Sequence, residues 1–404
     1  MNVLMLGNGF DLYYKLPTKY INFLNTVNYI SSASADTQNN VGAVFGATQL
    51  QHLDKDITDS YAAYRGIYDN TPIDAEAIHK LSLLAEKNLL FRYLLKSYNK
   101  DIGWIDFEKE VATIVAAFCE FLKEDNPIID FSKHRVRANN RFIFGQFGIF
   151  DNPTLTNVSL TKVKDDYTIE SPHGSGIKII NKKAIILELE KQLQELAEGL
   201  KVYLKFFVEN VVVEMRRQKS LQQNPALMPA DYVITFNYTN TYEQLYPSKD
   251  VFHIHGSLDG KIILGVNPDK ADELETIDVS FLRFKKYFQR VLFRTDEEFL
   301  KWIVREKDFS LVVMGHSLDE TDKDIIMQVF DKAKDITILY YNESSEASLV
   351  TNLIHIYGKE KFDELRCSKR LRFLPQDAKY NDFAENRASK EREQMINAMN
   401  RLIF

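Results

Sequence analysis

The chain opens on a short apolar run, Val3 to Leu6, that stops at Gly7-Asn8-Gly9. No other stretch constrains the fold as tightly. An apolar run without polar alternation is the pattern of a strand buried on both faces at the centre of a parallel sheet. Asp11 to Leu24 then reads as helical in part, broken at Pro17. Strand, glycine turn and helix in that order bring backbone amides against a phosphate: glycines allow close approach, and the helix start supplies partial positive charge. The full G-x-G-x-x-G is absent, because position 12 is Leu12, and a plain tight turn would ask for the same glycines. Asp11 would repel a pyrophosphate unless it caps the helix or faces a ribose hydroxyl.

Strand signals return after residue 230. Asp231–Phe236, Val251–His255, Lys261–Val266, Ser310–Met314 and Asp335–Tyr341 are short and rich in β-branched residues, with helical segments between several of them, as βαβ units require. The first strand and these five are expected to form one mostly parallel, Rossmann-like α/β sheet interrupted by a large helical insertion. Within the insertion, Phe107, Val111, Ile114, Val115, Phe118 and Leu122 mark one apolar helix face. Ile186, Leu189, Leu193, Leu196, Leu200, Leu204, Phe207 and Val211 mark a longer one, broad enough to pack within the chain rather than as a coiled-coil seam. SSASADTQNN (31–40) reads as a surface loop, 135–180 as a hairpin or ordered loop, and the stretch after Pro375 as a charged tail. The expected organisation is a nucleotide-binding domain from 1–30 plus 230–345, a mainly helical insertion at 31–229, and a helical extension and tail at 346–404.

At 404 residues the chain exceeds one small core. Its hydrophobic share of 45% and charged share of 27% are those of a globular protein, and its many Tyr and Phe suit a helical core. A net charge of −6 supplies no basic field for nucleic acid or anionic lipid. Cys119 and Cys367 are too sparse for a disulfide framework or a four-thiolate zinc site and read as buried free thiols. With no basic leader and no window near the ~20 apolar residues of a membrane span, a cytoplasmic protein without a membrane partner is expected.

Four clusters carry chemistry. Besides the glycine turn, Thr235-Phe236-Asn237-Tyr238-Thr239 closes a strand where α/β sheets bind ligands, or simply starts a helix at Thr239. His253 and His255, two apart, would share a strand face; a metal pair lacks further ligands at suitable spacing, and His255, followed by Gly256, is the better candidate for a functional histidine. Gly315-His316-Ser317 follows a strand like a nucleophile elbow, with Asp331, Asp335 and His355 downstream, but Asp319 stands where the elbow needs glycine.

Taken together, GNGFDLYYKLPTKYINFL, ITFNYTNTYEQLY and HIHGSLDGKIILGVN resemble the AbiH abortive-infection family of phage defence. The resemblance covers roughly residues 1–25 and 230–345. The ordered strand ends are also similar to sirtuin-like NAD-binding domains: Gly7-Asn8-Gly9, Thr235-Phe236-Asn237, His255-Gly256, Gly315-His316-Ser317 and Asn342. That likeness implies that His255 acts as general base on a ribose hydroxyl, or holds it during cleavage of the nicotinamide–ribose bond, and that Asn237 orients the ribose or the attacking water. Gly7, Asn8 and Gly9 would face the pyrophosphate, and Gly315, Ser317 and Asn342 the adenosine. Phe10, Asp11 and Thr235 count among the nucleotide-contacting positions. The implied substrate is NAD or NADP, with no metal. The four-cysteine zinc module of the deacetylases is missing after His255-Gly256, which favours NAD(P) hydrolysis over deacylation. The alternatives are a non-catalytic nucleotide sensor and a nuclease effector, the latter disfavoured by the acidic balance and the absence of clustered carboxylates. A phage-derived or cellular trigger and self-association as a homo-oligomer are expected of such a defence protein.

Overall fold

The computed structural model describes residues 1–33, 39–97, 104–123, 143–149, 164–170, 178–220, 223–224, 227, 230–246, 250–266 and 279–378. The middle of the 31–40 loop, most of 135–180 and the charged tail past residue 378 lie outside the described residues.

Six strands make the main sheet: β1 (Asn2–Leu6), β2 (Tyr232–Thr235), β3 (Asp250–His253), β4 (Phe309–Met314), β5 (Ala333–Tyr340) and β6 (Leu371–Pro375). They stand in the order β3-β2-β1-β4-β5-β6, and each neighbouring pair is parallel. This is the 3-2-1-4-5-6 order of dinucleotide-binding α/β folds. The order reverses between β1 and β4, so the switch point at which such sheets take ligands lies at the carboxyl ends of those two strands. The expected Rossmann-like parallel sheet with a large helical insertion is the observed architecture.

Two strand assignments differ from expectation. Lys261–Val266 is no strand of the sheet, although Ile262 to Val266 is apolar and buried. The Gln289 side chain accepts from the Leu264 N–H at 3.1 Å and donates to the Leu264 carbonyl at 3.2 Å, so a side chain replaces the ladder partner there. Conversely, β6 was not anticipated. Leu371 and Phe373 alternate with Arg370 and Arg372, and Pro375 ends the strand, a pattern at home on a sheet edge.

The chain forms two compact units. The sheet unit comprises Met1–Tyr14, Met215–Ile254 and Glu297–Phe404. Val3 and Met5 of β1 join Ile234, Leu311, Val313, Ile336 and Ile338 on one sheet face. Five helices of this unit are α1 (Gly9–Tyr13), α2 (Thr241–Leu245), α3 (Glu297–Arg305), α4 (Lys323–Lys332) and α5 (Glu343–Cys367). Against that face pack Phe299 and Trp302 of α3, Ile325 and Val329 of α4, and Leu353 and Ile356 of α5, each such side chain contributing about 1.5–3 kcal/mol by burial. Leu4 and Leu6 are buried as well, so β1 is covered on both faces, as its unbroken apolar run requires.

The helical unit comprises Lys15–Glu214 and His255–Asp296. The stripes of Trp104–Lys123 and Lys182–Tyr203 face its interior. The latter helix continues as a π-helical turn, Leu204–Glu209. Aromatic rings fill the core as the composition suggests: Tyr20 stacks on Phe107 at 3.6 Å, and Tyr203 on Phe207 at 5.4 Å. Buried Asp54 caps Lys55–Tyr68 through the Ile57 N–H and accepts from the side-chain amides of Asn22 and Asn25, which satisfies a carboxylate that burial would otherwise penalise. An antiparallel strand pair, Thr168–Glu170 with Lys178–Ile180, lies within the segment read as hairpin or loop. Cys119 is half-buried and Cys367 exposed, both free thiols, so the expected burial does not hold: each lies off the buried stripe of its helix. Among the described residues no helix is long and apolar enough to cross a membrane.

Lys286 and Glu108 form a buried ion pair at 2.9 Å in this unit. Glu108→Ala, which leaves the ammonium buried without its carboxylate, is expected to cost about 3–5 kcal/mol in urea denaturation, whereas Glu108→Leu combined with Lys286→Met should recover most of that loss. An equal loss in single and double variants would contradict this account.

Candidate functional site

The carboxyl ends of β2, β1, β4 and β5 stand side by side. From them leave Thr235 and Asn237, then Gly7 to Gly9, then Gly315 to Ser317, and finally Asn342 beyond β5. The topology thus collects at one sheet edge four motifs that are up to 335 positions apart in sequence (342 − 7).

At the switch point, backbone closes on backbone. The Gly7 N–H donates to the Met314 carbonyl at 3.1 Å, the Gly9 N–H to the Gly315 carbonyl at 2.8 Å, and the Phe10 N–H to the Gly7 carbonyl at 2.9 Å. A Cβ on Gly9 would lie 2.6 Å from Gly315 Cα, and one on Gly315, at φ 69°, would lie 2.2 Å from the Phe10 nitrogen. The close approach that these glycines permit is therefore made by the chain to itself. Asn8 is half-buried at the tip of the turn.

Asp11 lies buried in the first turn of α1, and Thr239 Oγ1 donates to its Oδ2 at 2.6 Å. The acid thus ties the helix after β1 to the loop after β2. Phe10 is buried with its ring 5.3 Å from Tyr14 and 6.0 Å from Tyr242. Tyr246 stacks on Tyr242 at 4.6 Å and donates to the Asn224 carbonyl at 3.3 Å. Burial pushes the Tyr246 hydroxyl up to about 12, and burial raises Tyr14 and Tyr242 further.

Asn237 is held by both of its backbone groups. Its N–H donates to Thr235 Oγ1 at 3.1 Å, and its carbonyl faces His253 Nδ1 at 3.0 Å. His253 Nε2 lies 2.5 Å from Glu243 Oε1. The sequence ranked His253 behind His255; no spacing rule links Glu243 on α2 to a strand-end histidine, so the pair had no signal.

His255 falls in the turn after β3, within the helical unit. Its side chain is buried, and its carbonyl accepts from the Ile263 N–H at 2.8 Å. β3 ends at His253, so the two histidines do not share one strand face as expected.

The β4 turn has other occupations than a hydrolase elbow. Ser317 is exposed, and its carbonyl accepts from Asn352 Nδ2 at 2.9 Å. His316 is buried 4.1 Å from the Phe236 ring, and its Nδ1 accepts from the Leu318 N–H at 2.9 Å. Leu318 is itself held at φ 53°, a conformation that costs a leucine about 1–3 kcal/mol. His355 is exposed on α5. Asn342 caps α5, its side chain accepting from the Ser345 N–H at 2.9 Å.

The family model described as Bacteriophage abortive infection AbiH matches residues 3–342 of the chain. No match is found among curated proteins or among solved structures.

Gly315→Ala should destabilise the protein by about 1–3 kcal/mol or more, from its positive φ and the blocked contact. Gly260→Ala, where an added Cβ meets nothing within 4 Å, should stay within about 1 kcal/mol of wild type. Equal melting temperatures for the two variants would contradict the backbone contact. The tyrosines supply a pH test. Their folded-state values lie above the ordinary 10.0, so the stability they contribute is full below pH 10 and is lost as pH rises towards 12 and beyond. Absorbance at 295 nm should show these hydroxyls ionising late and together with unfolding; ionisation near 10 with the fold intact would oppose their burial.

Proposed function

The chain belongs to the bacteriophage abortive infection AbiH family, and from that membership we propose that its sheet unit binds NAD or NADP and that the protein hydrolyses the nicotinamide–ribose bond. Membership implies a role in phage abortive infection; cleavage of NAD(P) would serve it by depriving an infected cell of cofactor. The observation that carries this reading is the 3-2-1-4-5-6 sheet with Gly7–Asp11, Thr235–Asn237, Gly315–Ser317 and Asn342 at neighbouring carboxyl ends, the edge at which such sheets take dinucleotides.

In the reaction, water adds its oxygen to the ribose C1′ and gives up a proton, while the glycosidic electron pair returns to the positively charged pyridinium nitrogen. The products are ADP-ribose (or its phosphorylated form), neutral nicotinamide and a proton. The bond breaks through a cation-like sugar, so a polar, preorganised setting matters more than a strong nucleophile. Asn237 suits the orienting task, because Thr235 and His253 fix its backbone before any ligand arrives. The likeness to sirtuin-like domains assigns the base to His255, whose ordinary pKa near neutrality matches a proton acceptor. Asp11 would address a ribose hydroxyl, since its carboxylate would repel phosphate. A phage-derived or cellular trigger would release the activity.

The burial of His255 favours a second reading, in which the same strand ends bind a nucleotide without turnover and report it to a partner.

The test is NAD consumption by purified protein beside His255→Ala and Asn237→Ala. Nicotinamide release by wild type that falls by about 100-fold or more in both variants is the expected result. Undiminished turnover in His255→Ala would remove it as the base. Calorimetric binding of NAD by wild type without turnover would select the sensor.

A further inference from the structure

Helix Lys286–Phe293 in the helical unit is built inside out. At 100° per residue its inward arc carries Lys286, Gln289 and Arg290, all buried, with the half-buried Phe293 between them at the end of the helix. Lys286 pairs with Glu108 at 2.9 Å, Arg290 with Asp296 at 3.4 Å, and Gln289 with the backbone of Leu264. The outward arc is Tyr287, Phe288, Val291 and Leu292. Of these, Tyr287 is 63% exposed, Val291 57% and Leu292 58%. Burying two ion pairs is seldom favourable by itself, and turning Tyr287, Val291 and Leu292 to water forfeits their burial. Three polar attachments nevertheless fix the helix in this orientation, so its apolar face is presented rather than left over.

Beside that face runs a groove of about 890 Å³ in the same unit. Leu84, Leu193, Val202, Ile262 and Leu264 are among its lining, and Leu292 and Phe293 belong to its wall. Ridge and groove thus share one surface. Charges of both signs line the groove: five basic residues, Lys87 and Arg283 among them, with the carboxylates of Glu190, Glu195 and Glu198. A two-fold interface needs knob and hole on the same patch, and a rim of mixed sign can match itself. An anionic lipid surface or a nucleic acid would instead ask for a rim of basic charge alone, and the three carboxylates oppose both.

We propose that this face is a homodimer interface, in which the Tyr287–Val291–Leu292 ridge of each copy enters the groove of the other. It is independent of the chemistry assigned to the sheet unit. The test is sedimentation velocity of the full chain over a micromolar concentration series, wild type beside Val291→Glu with Leu292→Glu, and beside the milder Tyr287→Ser with Val291→Ser. The expected result is a wild-type dimer whose dissociation constant rises at least about tenfold in both double variants, with circular dichroism and melting temperature unchanged. A wild type monomeric throughout, or a dimer untouched by either pair of substitutions, overturns the proposal. Co-flotation of monomeric wild type with phosphatidylserine vesicles, lost in the variants, would overturn it in favour of a lipid surface.

Discussion

Where β1 and β4 end, two backbones approach more closely than any side chain allows. The Gly9 N–H bonds to the Gly315 carbonyl, and each glycine occupies the volume that the other's Cβ would need. These strands flank the point at which the sheet reverses its order, so the contact fixes how the turn after β1, the short helix α1 and the turn after β4 leave the sheet. Asp11 then lies within reach of Thr239 from the neighbouring strand end. Phe10 reaches the Tyr14–Tyr242 cluster. The strained Leu318 follows from the same turn, with its N–H held by His316.

The glycines that read as a phosphate cradle thus have a prior structural use, and the polar groups supporting the proposed chemistry come mostly from β2 and β3. Asn237 is the clearest case. Its backbone N–H and backbone carbonyl are both engaged, by Thr235 and by His253, so the point from which its side chain leaves the loop is fixed. Such anchoring lowers the ordering cost that a ligand must meet. A nucleotide bound here would therefore meet the protein at these polar strand ends, with Asn8 and Asp11 flanking the closed glycine turn.

The parallel sheet was legible in the sequence because burial on both faces leaves short runs rich in apolar and β-branched residues, as in Val3–Leu6, Leu311–Met314 and Ile336–Tyr340. The same signal misled at Lys261–Val266, where Ile262 to Val266 are buried but Gln289, 25 positions from Leu264, takes the backbone hydrogen bonds of Leu264. β6 escaped notice because an edge strand interleaved with arginines has no apolar run. The site was half legible. Motif order brought Gly7, Asn237, Gly315 and Asn342 to one sheet edge, since strand ends are local features and the strand order follows from the fold. The His253–Glu243 pair and the Asp11–Thr239 bond were not legible, because they join residues 10 and 228 positions apart through the geometry of loops that no periodicity encodes. The inverted polarity of Lys286–Phe293 also lay beyond sequence reading: its moment is visible there, but its sign towards the core is set by Glu108 and Asp296.

The account rests on nucleotide binding at the carboxyl edge of β2, β1, β4 and β5. Hydrogen–deuterium exchange of the intact protein with and without saturating NAD tests this most directly. It predicts slowed exchange concentrated in peptides covering residues 7–14, 235–246 and 315–319, with little change in the groove of the helical unit. Unaltered exchange at those strand ends, or protection confined to Leu84, Leu193 and their neighbours, would contradict it.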